Sequence, residues 1–188
     1  MGYLVFRDTI INMKKILIIA ALAAGMAGIK ADESAFQASL TPDIVVHPKT
    51  TEINGFAINV WGENPQHSFN FGIVNGSTGD SLGFSWAWVN YDDSYVGVQW
   101  GIVNYSKKSF IGWQDGWINV SQGYFKGFQE GVVNVAQDAH GLQFGAVNYT
   151  EKLNGVQIGF INVIQSNGWF DNFPDKLAKG FPIVNWSF

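Results

Sequence analysis

Residues able to do chemistry are sparse along this chain, and their spacing matters more than their number. The three histidines, His47, His67 and His140, lie far apart, and none falls in an HExxH or related metal-binding pattern. His67 and His140 precede repeated segments at a similar phase, which would allow a shared metal, but solvated loop histidines are the preferred reading. Asp92-Asp93 is an adjacent carboxylate pair between two apolar segments. Glycosidase chemistry needs two carboxylates held across a cleft, so a solvated turn is the simpler expectation. The serines form neither a GxSxG elbow nor an SxxK motif, and no glycine loop is followed by a helix pattern that could cradle phosphate. Cysteine is absent, which removes disulfides and thiolate metal sites. The expectation is a non-enzymatic protein with no catalytic residue, no metal and no cofactor.

The elements that would position any site come from a repeat. From Gly97 onward one phrase recurs: GVQWGIVNY at 97–105, GWQDGWINV at 112–120, GFQEGVVNV at 127–135, GLQFGAVNY at 141–149 and GVQIGFINV at 155–163. Weaker copies stand at 68–76 and 83–91, and degenerate ones at 52–60 and 178–186. The repeat-defining residues are Gln99, Gln114, Gln129, Gln143 and Gln157, with Asn104, Asn119, Asn134, Asn148 and Asn162 closing each strict copy. Asparagine spacing along the whole array, from Asn59, is 16, 15, 14, 15, 15, 14, 14 and finally 23. A constant period of this kind marks an array of one small structural unit.

Alternation within the phrase predicts a strand per copy, because a helix would need apolar residues at three-and-four spacing. In GVQIGFINV, Val156, Ile158 and Phe160 share one face while Gly155, Gln157, Gly159 and Ile161 share the other. The Gly/Gln face hardly varies between copies; the other face carries Val, Trp, Phe, Leu, Asp and Glu. Glycines on the constant face permit close backbone approach, and glutamines there can form amide ladders or line a polar interior. Polar stretches such as Ser106–Ser109 and Thr150–Asn154 read as short loops between strands.

The fold class expected is all-β: an antiparallel β-meander of 9–10 repeat strands closed as a small barrel, with a β-solenoid as the alternative. A barrel strand of about 9–11 residues spans a bilayer, and the terminal Trp186-Ser187-Phe188 looks like an outer-membrane assembly signal. Asp115 and Glu130 argue against lipid on the variable face, since charges at a bilayer midplane are costly. Equivalent positions one repeat apart also make these two acids a candidate acidic spot for a cation, weighed against plain solvent exposure. Five tryptophans concentrate on the same face, Trp86, Trp88, Trp100, Trp113 and Trp117, where they form a possible binding face or a surface embedded in lipid or core. The stretch from Asn167 to Lys179 is expected to cap an open end.

Residues 1–31 read as a signal peptide, with Met13-Lys14-Lys15 as its basic start, an apolar run from Ile16 to Ala24, and residues 1–12 as an upstream start extension. The domain expectation is therefore a signal at 1–31 and a single β-repeat domain at 32–188. Setting aside Arg7, Lys14, Lys15, Lys30 and Asp8 from 11 basic and 15 acidic residues leaves a net charge of −7 and no arginine. Such a surface does not suit nucleic acid, whose binding rests on clustered Lys and Arg.

The GxQxGxxN phrase over roughly residues 68–163 resembles a bacterial surface-repeat family of the leptospiral type. Phe36-Gln37-Ala38-Ser39-Leu40-Thr41-Pro42 and Phe181-Pro182-Ile183-Val184-Asn185 resemble that family's two ends. The resemblance implies a surface or outer-membrane protein of a Gram-negative bacterium and no particular chemistry. The functional expectation is an exported outer-membrane or cell-surface protein with a structural or interaction role; the alternative is a carbohydrate- or protein-binding solenoid using the Trp-rich face. Expected partners are outer-membrane lipid, a surface glycan or a protein.

Overall fold

A computed structural model describes residues 32–188, so the signal expected at 1–31 lies outside the described residues. The chain forms β1 (Glu33–Thr41), β2 (Ile44–Val45), β3 (Glu52–Asn64), β4 (His67–Trp86), β5 (Val89–Ile164) and β6 (Gly180–Ser187), with no helix among the described residues. Their order in the sheet is β2-β1-β3-β4-β5-β6. At 76 residues, β5 is too long to be a straight strand of a small protein; it is one extended chain that coils on itself.

Strand direction decides between barrel and solenoid. β3 pairs with β4 in parallel, and β4 with β5 in parallel, placing Asn75 beside Asn90, Gly83 beside Gly97 and Trp86 beside Trp100. Within β5, side chains 14 and 15 residues apart bond to one another: Asn104 Nδ2 donates to Asn119 Oδ1 at 2.8 Å, and Gln129 Nε2 to Gln114 Oε1 at 2.8 Å. Each copy therefore lies over the last in the same direction, and the protein is a β-solenoid. The expectation of an antiparallel meander closed as a barrel is wrong. A meander needs the chain to reverse between copies, yet the polar stretches 106–109 and 150–154, read as loops, are themselves part of β5 and carry the coil onward in one sense.

Inside the coil, equivalent residues stack into columns. Gln99, Gln114, Gln129, Gln143 and Gln157 form an amide ladder with donor-to-acceptor distances of 2.7–3.1 Å. Asn90, Asn104, Asn119, Asn134, Asn148 and Asn162 form a second ladder. Their remaining amide protons go to backbone carbonyls of the next coil, as from Asn119 Nδ2 to Glu130 O at 2.7 Å. All of these side chains are buried. A third column is apolar, with Tyr95, Phe110 and Phe125 stacked at centroid spacings of 6.0 Å. Ala139 and Leu153 continue the same buried cluster.

Buried amides are costly unless paired, and here each coil supplies the partner for the next. Gln129→Leu should destabilise by about 2 kcal/mol, because it strands the Gln143 Nε2 donor and takes one donor from Gln114 Oε1. Urea unfolding of the variant against the parent would measure this.

Strict alternation holds only through the residue after the second glycine of each phrase. Ile161, expected on the Gln157 face, points to solvent, and Asn162 turns inward in its place. The chain bends there, and the asparagine's bonds to Gly159 O at 2.9 Å and Phe181 O at 3.1 Å hold the bend.

Both ends are closed by strand reversal. β2 runs antiparallel to β1 at one end, and β6 runs antiparallel to the final coil at the other, pairing Gln157 with Asn185. The segment 178–186 is thus a reversed cap and not a ninth coil, which explains the spacing of 23. Asn167 Nδ2 bonds to Ala178 O and Trp186 O, tying the intervening stretch over the end as expected. Reversal matters because a parallel coil left open presents unpaired backbone to a second molecule.

A candidate binding furrow

Columns also form on the outside. Around the second glycine of each phrase the flanking side chains both point outward, and stacking turns them into two parallel walls. One wall runs Trp86, Trp100, Asp115, Glu130, Phe144, Ile158, and the other Trp88, Ile102, Trp117, Val132, Ala146, Phe160. Between them lies a floor of bare backbone at Gly101, Gly116 and Gly131. The result is an open furrow along the solenoid axis. Its first section, of about 570 Å³, is lined by Trp86, Trp88, Trp100, Trp117, Asp115 and Glu130 among others.

The floor depends on glycine. A Cβ at Gly116 would sit 2.6 Å from Gly101 O and 2.8 Å from Asn104 Nδ2. Coils spaced about 4.8 Å apart, as neighbouring strands are, leave no room for it.

The tryptophans fall into two mechanical classes. Trp86 and Trp100 are braced edge-on, Trp86 against Phe71 at 5.9 Å and Trp100 against Phe84 at 5.3 Å and Trp113 at 5.4 Å. Trp88 and Trp117 are 64% and 69% exposed, so their faces are free to meet a ligand. Trp113, expected with them, does not line the furrow; it packs between Trp100 and Phe128 and acts as a brace.

Asp115 and Glu130 occupy successive rungs of one wall, and neither forms an ion pair among the described residues. Adjacent like charges on a sheet face disfavour the fold, so a ligand group that meets these carboxylates relieves a standing cost. The repeat-defining glutamines Gln99, Gln114, Gln129, Gln143 and Gln157 and asparagines Asn104, Asn119, Asn134, Asn148 and Asn162, by contrast, are buried in two separate internal ladders. These residues build the scaffold.

A second polar feature escaped the pattern. Asp92, expected in a solvated turn, is buried inside the coil. Its Oδ2 accepts from Gln99 Nε2 at 2.7 Å and Ser106 Oγ at 2.8 Å, while Oδ1 has no partner. Burial pushes its carboxyl up to about 7 against the opposing pull of those two bonds, with Asp93 adding to the rise. Asp93 faces outward, 3.9 Å from Lys107. The signal that could have exposed this is the register: Asp92 precedes Ser106 and Ser121 by successive repeat lengths, and both serines are buried.

The histidines are not brought together. His67 Nδ1 lies 3.0 Å from Glu52, and His140 Nε2 lies 3.4 Å from Asp138. No group of three His, Asp or Glu among the described residues could hold a metal ion. Compared with family models, curated protein sequences and solved structures, the chain matches none of them.

Proposed function

We propose that this is an exported, surface-displayed binding solenoid whose furrow takes a carbohydrate chain. The observation that carries the reading is the alignment of Trp86, Trp88, Trp100 and Trp117 with two unpaired carboxylates in one open groove. Indole faces stack on the apolar faces of sugar rings, and carboxylates accept hydrogen bonds from hydroxyls. A peptide bound by strand addition fits less well. It needs a free sheet edge, whereas the furrow floor is the face of a sheet whose ladder bonds run between coils.

Catalysis is not part of this reading. Asp115 and Glu130 stand side by side on one wall, whereas glycoside hydrolysis needs carboxylates flanking the bond. The surface-repeat resemblance supports display outside the cell, and the aromatic faces also suit contact with outer-membrane lipid.

Retention on immobilised neutral, amino and anionic oligosaccharides tests the proposal. Trp117→Ala should weaken retention by about twofold to tenfold, the scale of one lost aromatic stack, without altering the far-ultraviolet dichroism. Equal retention of parent and variant, or none by the parent, would reject it.

A further inference from the structure

The furrow does not end with its acids. A second section of about 420 Å³ shares Gly131, Val132 and Phe144 with the first, so the two are one continuous groove. Its character changes abruptly. Beyond Glu130 the walls become Phe144 and Ile158 on one side and Ala146 and Phe160 on the other, with Ile183 of β6 also lining it. No charged side chain lines this part.

Two observations mark this half as built for an occupant. Phe160 and Ile183 are among the most exposed apolar side chains in the molecule, at 81% and 74%, and they stand together in one groove. Ile183 also holds a φ of 71°, a conformation that β-branched residues rarely adopt. Strain of this kind persists where the surrounding structure imposes it and clusters at ligand sites. Here it falls where the cap strand meets the apolar groove.

We infer that the furrow takes a glycolipid, with the sugar on the tryptophan and carboxylate half and an alkyl chain along Phe144, Ile158, Phe160 and Ile183. This rests on the carbohydrate reading of the first half and adds the lipid. Polarity along one groove selects such a molecule: a plain oligosaccharide would leave the apolar half wet, and a plain fatty acid would set its anion near Asp115 and Glu130. The head is therefore neutral or cationic. From the Phe144 rung to β6 the groove spans two coil spacings, about 10 Å, which sets a limit on the length of chain it can cover.

Calorimetric titration of the full chain with methyl, butyl, hexyl and octyl β-glucosides, each below its micellar concentration, separates the two halves of the argument. A cello-oligosaccharide serves as a head-only probe and octyl sulfate as a tail-only probe. Affinity should rise at least about twofold per methylene, against about fourfold for complete burial, and level off once the apolar half is filled. Ile158→Glu should abolish the chain-length dependence. The same wall already carries Asp115 and Glu130, so the fold accommodates an acid in that column. Phe160→Ser, at a site 81% exposed, should flatten the dependence while leaving the fold intact. If octyl and methyl glucosides bind alike while the oligosaccharide binds, the lipid half is refuted and the carbohydrate reading stands. If octyl sulfate matches octyl glucoside, the glycolipid is refuted, because the sugar head then contributes nothing, and the carbohydrate reading is judged on the oligosaccharide's own binding.

Discussion

Gly127→Ala is expected to destabilise the protein by at least about 3 kcal/mol, lowering its melting temperature by about 10 °C. Gly127 has a φ of 137°, which L side chains rarely adopt, and a Cβ there would overlap the carbonyl of Gly112 on the coil below. Backbone strain and steric overlap therefore act together, and neither can relax without spreading the coils and breaking the Gln114–Gln129 bond. Gly79 provides the control. It also has positive φ, at 64°, but nothing lies within 4 Å of its added Cβ. Gly79→Ala should cost only about 1 kcal/mol. Thermal unfolding followed by circular dichroism measures both; comparable losses at the two sites would show that coil contact at Gly127 contributes nothing.

The second large effect is a loss of stability as pH rises. Asp92 titrates at about 7 in the folded coil, against the usual carboxylate range once unfolded. Between those values the folded state holds a proton that the unfolded state has lost, so protons favour folding. The contribution is fully present below about pH 4, falls steadily as pH rises, and is gone above about pH 7. Three pH units at about 1.4 kcal/mol each amount to roughly 4 kcal/mol in all, of which about 3 kcal/mol should disappear between about pH 5 and about pH 8. Tyr95, whose hydroxyl is buried without a partner, is held protonated by burial and by the nearby Asp92 carboxylate, so it adds nothing over this range. Asp92→Asn keeps an acceptor for Gln99 and Ser106 and carries no charge. Urea unfolding at the two pH values should show the parent's slope reduced by that amount in the variant. Identical slopes would mean that Asp92 ionises without cost inside the coil.

Both effects follow from one construction, a narrow coil whose interior is mostly amide and hydroxyl. An apolar core tolerates small shifts because dispersion contacts are numerous and undirected. Stacked amides are directional, and each rung completes the bonds of its neighbours. Disturbance at Gly127 or Asp92 therefore reaches the adjacent coils.

Much of this was legible in the linear pattern. Five copies of one phrase demanded an array, alternation demanded extended chain, and invariance of Gln99, Gln114 and their counterparts pointed to positions that meet neighbouring copies in the same way. Concentration of tryptophans on the variable face was visible too, as were Asp115 and Glu130 beside them. These are local properties, carried by residue type and spacing within a single copy.

Direction of stacking was not legible, because a period of 14 or 15 with alternating faces serves a reversing meander and a one-way coil equally well. The choice lies in which distant backbone each strand bonds, and that is settled only when Asn75 meets Asn90 and Trp86 meets Trp100 in parallel. Everything that depends on vertical neighbours follows from it: the burial of Asp92 beneath Ser106, the withdrawal of Trp113 from the furrow, and the merging of a tryptophan row, an acidic pair and an apolar row into one groove. Residue types supply the rungs of this protein, whereas long-range hydrogen bonds, formed between segments a whole turn apart, decide how the rungs are stacked.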